Sequence, residues 1–163
     1  MRRYFRSHCR EWALQFLYQA EFAGPHQPEA VEQFWRYFQA EGAPPAYLRE
    51  LMQRVASHQF YPDIKVLILR NLRELVEGVA SHQEELDVFI VRYSEHWRLE
   101  RMTIVDRNLL RVAVYELLYQ PHIPPKVVIN EAVEMAKRYG SEASGGFVNG
   151  ILDQVRMSVG REV

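Results

Sequence analysis

Arg3, Arg6 and Arg10 are the first residues whose type and spacing could do chemistry. At about 100° per residue, a helix would hold them within a sector of about 60°, beside its apolar face. Leu14 and Tyr18 continue the i, i+4 row from Arg10, so guanidinium groups and then a phenol ring would line one groove edge. Such an edge suits single-stranded RNA, because arginine neutralises phosphates and an aromatic face stacks an unpaired base at roughly 1–3 kcal/mol. The plainer alternative is that the arginines are merely solvated and Tyr18 closes the core.

Catalytic chemistry has less to build on. Cys9 falls on the apolar stripe of the same segment, where a thiol packs as a small hydrophobe. His8, His26, His58, His82, His96 and His122 are dispersed, with no i, i+4 histidine pair and no second cysteine to complete a zinc site. Gly140 and Gly145 imitate the start of a phosphate loop, yet Gly146 and Phe147 stand where lysine and a hydroxyl residue are required. Glu84, Glu85 and Asp87 read as a solubilising surface rather than an acid and base pair. The expectation is therefore no catalytic residue, no metal and no cofactor. Asp106, Asn108 and Glu116 interrupt an otherwise apolar run, and burial there demands partners; Glu116 in particular should be paired.

Charge bounds the partners. The 163 residues carry a net charge of −1, which does not describe a strongly basic binder that works alone. Four arginines against Glu11 give +3 in the first eleven residues, so the total of −1 leaves −4 for the rest, and the N-terminus is the electropositive end. With 48% apolar and 25% charged side chains, the chain has the profile of a globular domain able to bury a core without disulfides. A lone cysteine and no apolar leader point to the cytoplasm, and no apolar run approaches the roughly 18 residues of a membrane span.

The elements that must position these residues are helices. Phe5, Cys9, Trp12, Ala13, Phe16, Leu17 and Ala20 recur at offsets of three and four, predicting a helix from about Arg3 to Phe22. Further helices are expected over 29–40, 46–58 and from Pro62 to about Val79. Ser81 with Glu84 has the spacing of a capping box for the next one, and Thr103 with Asp106 marks another N-terminus. The run Ile104 to Tyr119 is apolar almost all round and belongs in the middle. A stiff proline connector precedes a helix ending at Gly140, and the last helix should start near Ser144 and bury Phe147, Val148, Ile151, Leu152 and Val155. Lys126, Asn130, Glu131, Glu134, Lys137 and Arg138 should cover a solvated outer face. No alternating pattern suggests a strand, so the class is all-α.

Several separated motifs now agree in order: Arg10-Glu11, Ala13-Leu14-Gln15, Leu17-Tyr18-Gln19, Val105-Asp106-Arg107-Asn108-Leu109-Leu110-Arg111, Tyr115-Glu116-Leu117, Ile129-Asn130-Glu131-Ala132 and Phe147-Val148-Asn149-Gly150-Ile151-Leu152-Asp153. Together they resemble the NusB family of bacterial transcription antitermination factors. The resemblance implies one NusB-like RNA-binding domain over 1–163, a compact bundle of seven to eight helices in two packed subdomains, about 1–81 and 82–163. It implies a non-enzyme that binds boxA RNA of ribosomal RNA leader transcripts with NusE, a small-subunit ribosomal protein. NusA, NusG and RNA polymerase complete the antitermination complex, and homodimers occur among such proteins. Carried over by position, Arg3, Arg6, Arg10, Tyr18 and Phe147 would lie on the RNA side, and Glu100 and Asp106 on the NusE-facing surface.

This chain departs from the family pattern in three places. Ser7-His8-Cys9 interrupts the basic start. Gly145-Gly146 stands where many relatives carry lysine, which removes a phosphate-seeking charge and loosens that helix's first turn. The stretch 29–66 is longer than in compact relatives, and an extra helix is expected in it. Two alternatives remain. One is an accessory domain of the kind that precedes some ribosomal RNA cytosine methyltransferases, for whose methyl-donor fold 163 residues leave no room. The other is a protein-binding scaffold without RNA contact.

Overall fold

Apolar residues at helical spacing produce helices throughout the computed structural model, which describes residues 2–23, 64–94 and 97–160. In chain order they are α1 (Arg2–Ala23), α2 (Ile64–Ser81), α3 (Gln83–Tyr93), a 3-10 turn (Leu99–Arg101), α4 (Ile104–Tyr119), α5 (Pro125–Tyr139) and α6 (Ser144–Ser158). Six α-helices and no strand occur among the described residues, so the chain is all-α. The helices expected over 29–40 and 46–58, the proline start at 62 and the extra helix in 29–66 lie outside the described residues.

Eleven of the sixteen residues of α4 are buried, which puts it at the centre as its sequence predicts. It touches each of the other five helices, while α1 also packs on α2 and α5 on α6. One continuous core joins Trp12, Phe16 and Leu17 of α1 to Leu72 and Val76 of α2, Leu86 and Ile90 of α3, and Val148 and Leu152 of α6. The approach of α2 to α4 depends on Gly78, because a Cβ there would lie 2.1 Å from Cζ of Tyr115.

Local signals fare unequally. Thr103 caps α4, its hydroxyl accepting the Asp106 N–H at 3.0 Å. Gly140 ends α5 in an extended rather than left-handed conformation, and a Cβ there would meet Ser144 Oγ at 2.5 Å. Pro125 occupies the first turn of α5, where its missing N–H costs nothing. The capping box at Ser81 does not form. Ser81 is the last residue of α2, and its hydroxyl donates back to the Glu77 carbonyl at 2.7 Å; His82 stands at the N-cap of α3 without a side-chain cap. A serine at a helix end has carbonyls within reach one turn back, and here that bond wins over the forward one.

Candidate nucleic-acid interface

The polar residues of α4 decide what the first helix can offer to a ligand. Glu116 is 1% exposed and Arg10 2% exposed, and Arg10 Nε donates to Glu116 Oε2 at 2.8 Å. Arg10 Nη1 also lies 3.7 Å from Glu131 Oε2, to which the Ser7 hydroxyl donates. Glu116 is thus paired, as its buried position required. Arg10 is not part of an exposed cationic row, which corrects the expectation that it faces RNA. Its Cα lies on the flank of α1, but the long side chain swings inward onto the buried Glu116 carboxylate.

Arg6 sits one turn earlier and is partly exposed. Its Nη2 donates to His122 Nε2 at 3.0 Å and its Nη1 reaches Gln120 Oε1 at 3.5 Å. Neither partner is an anion, so the guanidinium keeps its full charge for a ligand. Arg3 falls within α1, but its side chain lies outside the described residues.

Tyr18 is 40% exposed, so it does not close the core. One turn further along α1, Phe22 is 69% exposed, and the two rings stand 5.3 Å apart at 57°. Sequence reasoning missed Phe22. Its place four residues after Tyr18, continuing the i, i+4 row from Arg10, was the available signal.

A third aromatic site lies at the start of α6. Phe147 is half-buried and meets Trp97 edge-on, with centroids 5.6 Å apart. The two rings border an open groove of about 350 Å³, also lined by Tyr93, Gly146, Gly150 and Gln154. Trp97 was not among the candidates, although a tryptophan between two helices, outside either apolar stripe, is a recognisable signal.

The two acidic candidates part company. Glu100 is exposed on the 3-10 turn, open to a partner. Asp106 is 5% exposed in the first turn of α4, and its Oδ1 makes no hydrogen bond. An accessible acidic surface therefore does not include Asp106: the turn that lets Thr103 cap the helix also folds this carboxylate inward.

A second ionic cluster ties the far end of α1 to α4 and α3. Arg107 forks onto Glu21 at 2.9 and 2.8 Å, and Arg111 bridges Glu21 at 2.7 Å and Asp87 at 2.7 and 2.9 Å. Burial alone would raise the Glu21 carboxyl, but the hydrogen bonds from Arg107 and Arg111 outweigh it and hold the group below the usual carboxylate range. The expected outer face of α5 is largely solvated, with Glu131 turned inward as the exception. Burial pushes the Cys9 thiol up to about 12, an inert setting for a nucleophile. Among the described residues no group of three or more histidine, cysteine or acidic side chains could hold a metal, and no helix is long and apolar enough to cross a membrane.

The family model described as the NusB family matches residues 7–157. The transcription antitermination protein NusB of Myxococcus xanthus is 43% identical over 156 residues, covering 93% of this chain and 94% of the relative. That of Sorangium cellulosum is 42% identical, covering 96% and 94%. The solved structure of Thermotoga maritima NusB superposes with a TM-score of 0.68 at 33% identity, covering 93% of this chain and 90% of that one. With the motifs, the helical architecture and these likenesses in agreement over nearly its whole length, the chain belongs to the NusB family.

Proposed function

We propose that the chain is a transcription antitermination factor that holds single-stranded boxA RNA of ribosomal RNA leader transcripts together with NusE, within a complex containing NusA, NusG and RNA polymerase. It acts as an adaptor and performs no chemical step itself. The observation that carries this reading is the exposed Tyr18 and Phe22 pair on the helix whose beginning bears Arg2, Arg3 and Arg6. Both rings are exposed, and exposed aromatic faces stack on unpaired bases of any identity. Arg3, Arg6, Tyr18 and Phe147 are the RNA contacts in this reading. Arg10 instead supports the helix from within, and Glu100 faces the ribosomal partner. With a net charge of −1, the chain alone binds weakly, and a partner with its own RNA contacts raises the affinity through effective concentration.

Burial of Arg10 gives some weight to a second reading, a protein-binding scaffold without RNA contact. Titration of labelled boxA RNA and a scrambled RNA, each with and without NusE, separates the two. Preferential binding of boxA, strengthened by NusE, is the expected result. Equal and weak binding of both RNAs under all conditions leaves only the scaffold.

A further inference from the structure

We propose that His122 is a positioning residue for RNA binding, holding the Arg6 guanidinium away from the carboxylate of Glu74 so that its charge stays free for a phosphate. This inference rests on the RNA reading above and adds to it the device that keeps Arg6 available.

Arginines on α1 have carboxylates within reach, and Arg10 shows the outcome when nothing intervenes: its guanidinium turns onto Glu116. Arg6 lies one turn away and borders, with Glu74, Glu116 and Gln120, a cavity of about 10 Å³, room for roughly one water, so these groups are close neighbours. Both partners of Arg6 are nevertheless neutral, Gln120 Oε1 at 3.5 Å and His122 Nε2 at 3.0 Å. The nearby carboxylates are engaged elsewhere: Glu116 accepts from Arg10 at 2.8 Å and Glu74 from the Gln120 amide at 3.1 Å. A contact of 3.5 Å stands at the weak limit of a hydrogen bond, so the imidazole carries the restraint. Arginine only donates, and the neutral ring accepts through Nε2.

The ring can act as a fixed post because its backbone is rigid. The Ile123 N–H donates to the Gln120 carbonyl at 3.0 Å, closing a turn with Pro121 at its second position, where proline presets the backbone. Gln120, 2% exposed, and Ile123, 4% exposed, anchor the two ends of the turn in the interior. His122 between them is exposed, and Pro124 and Pro125 stiffen the entry into α5. The imidazole therefore meets Arg6, 116 positions away, from a frame that does not depend on the imidazole itself. Without it, the gain open to the guanidinium is a charged pair with Glu74, which is exposed and held by a neutral amide. Hydrogen bonds between charged groups are about twice as strong as neutral ones, so that pair would form and cancel the cation.

The test uses the full chain with NusE and fluorescein-labelled single-stranded boxA RNA, read by anisotropy across a salt series. His122→Leu should flatten the dependence of log affinity on log salt by about 0.7, the share of one phosphate contact, and weaken binding about fivefold at 0.1 M salt. Arg6→Gln should do the same, and combining the two should add nothing, because both remove one contact. His122→Gln, which returns an acceptor, should restore the slope. Glu74→Gln should restore it in the His122→Leu background while changing little by itself. Melting temperature and NusE binding stay level throughout. Normal affinity and slope in His122→Leu, with Arg6→Gln weakened, overturn the inference. So do additive losses, or a loss that neither His122→Gln nor Glu74→Gln reverses, since the imidazole then meets the RNA directly. Arg6→Gln without effect overturns it too, while leaving the rest of the RNA reading in place. Failure of the unaltered protein to prefer boxA over a scrambled strand removes that reading and the inference together.

Discussion

Replacing Arg10 by methionine separates a structural arginine from an RNA-binding one. The substitution keeps most of the aliphatic volume and removes the charge, leaving Glu116 in a site only 1% exposed to water. Removing one member of a buried ion pair costs about 3–5 kcal/mol, chiefly because the other charge is left uncompensated. The 2.8 Å contact and near-complete burial of both side chains put this pair in that class. For a chain of this size each kcal/mol lowers the melting temperature by about 2–4 °C, so a fall of about 6–20 °C is expected by calorimetry. Arg10→Met with Glu116→Leu removes both charges and should recover most of the loss. RNA titrations at temperatures where the variant is folded should show an unchanged salt slope, whereas a lost phosphate contact would flatten it by about 0.7. A destabilisation below about 1 kcal/mol, or a flattened slope in the folded variant, would refute the assignment of Arg10 to the interior.

Three further outcomes follow from the packing and the ionic contacts. Gly78→Ala should lower stability by about 1–3 kcal/mol in denaturant unfolding despite alanine's better helix propensity, since the new Cβ overlaps the Tyr115 ring. Because the Glu21 carboxyl is held below its unfolded value, its stabilising contribution is complete above that value and disappears as pH falls through the folded one. Melting temperature should thus decline below about pH 4.3, and Glu21→Gln should shrink that decline. With its thiol pushed up to about 12 and buried, Cys9 should resist iodoacetamide at pH 8 in the native protein and react readily once denatured.

Helix positions were legible because apolar residues recur at helical spacing along the length of α1, α4, α5 and α6, so their burial follows from periodicity. The central place of α4 was readable for the same reason. What periodicity leaves open is the direction of long polar side chains. Arg10 lies at the boundary of its helix's apolar face, and only the distant Glu116, 106 positions along the chain, decides that its guanidinium turns inward. Asp106 shows the converse, a carboxylate suited to a first turn by the helix dipole and also enclosed by tertiary packing. Tyr18 could be placed at an edge from its spacing, whereas the Trp97 groove joins two segments far apart in sequence and emerges only once α3 and α6 are packed together.

The contacts of α1 run from Arg6 with Gln120, through Arg10 with Glu116, to Glu21 with Arg111 and Arg107, so α1 and α4 lie antiparallel and are fastened at three levels. Sliding α1 by one turn, about 5.4 Å, would unmatch every level at once. The opening helix is accordingly a pre-set template rather than an adaptable arm. Little ordering entropy is left for it to lose on association, and amide exchange along 6–21 should slow hardly at all when a strand docks.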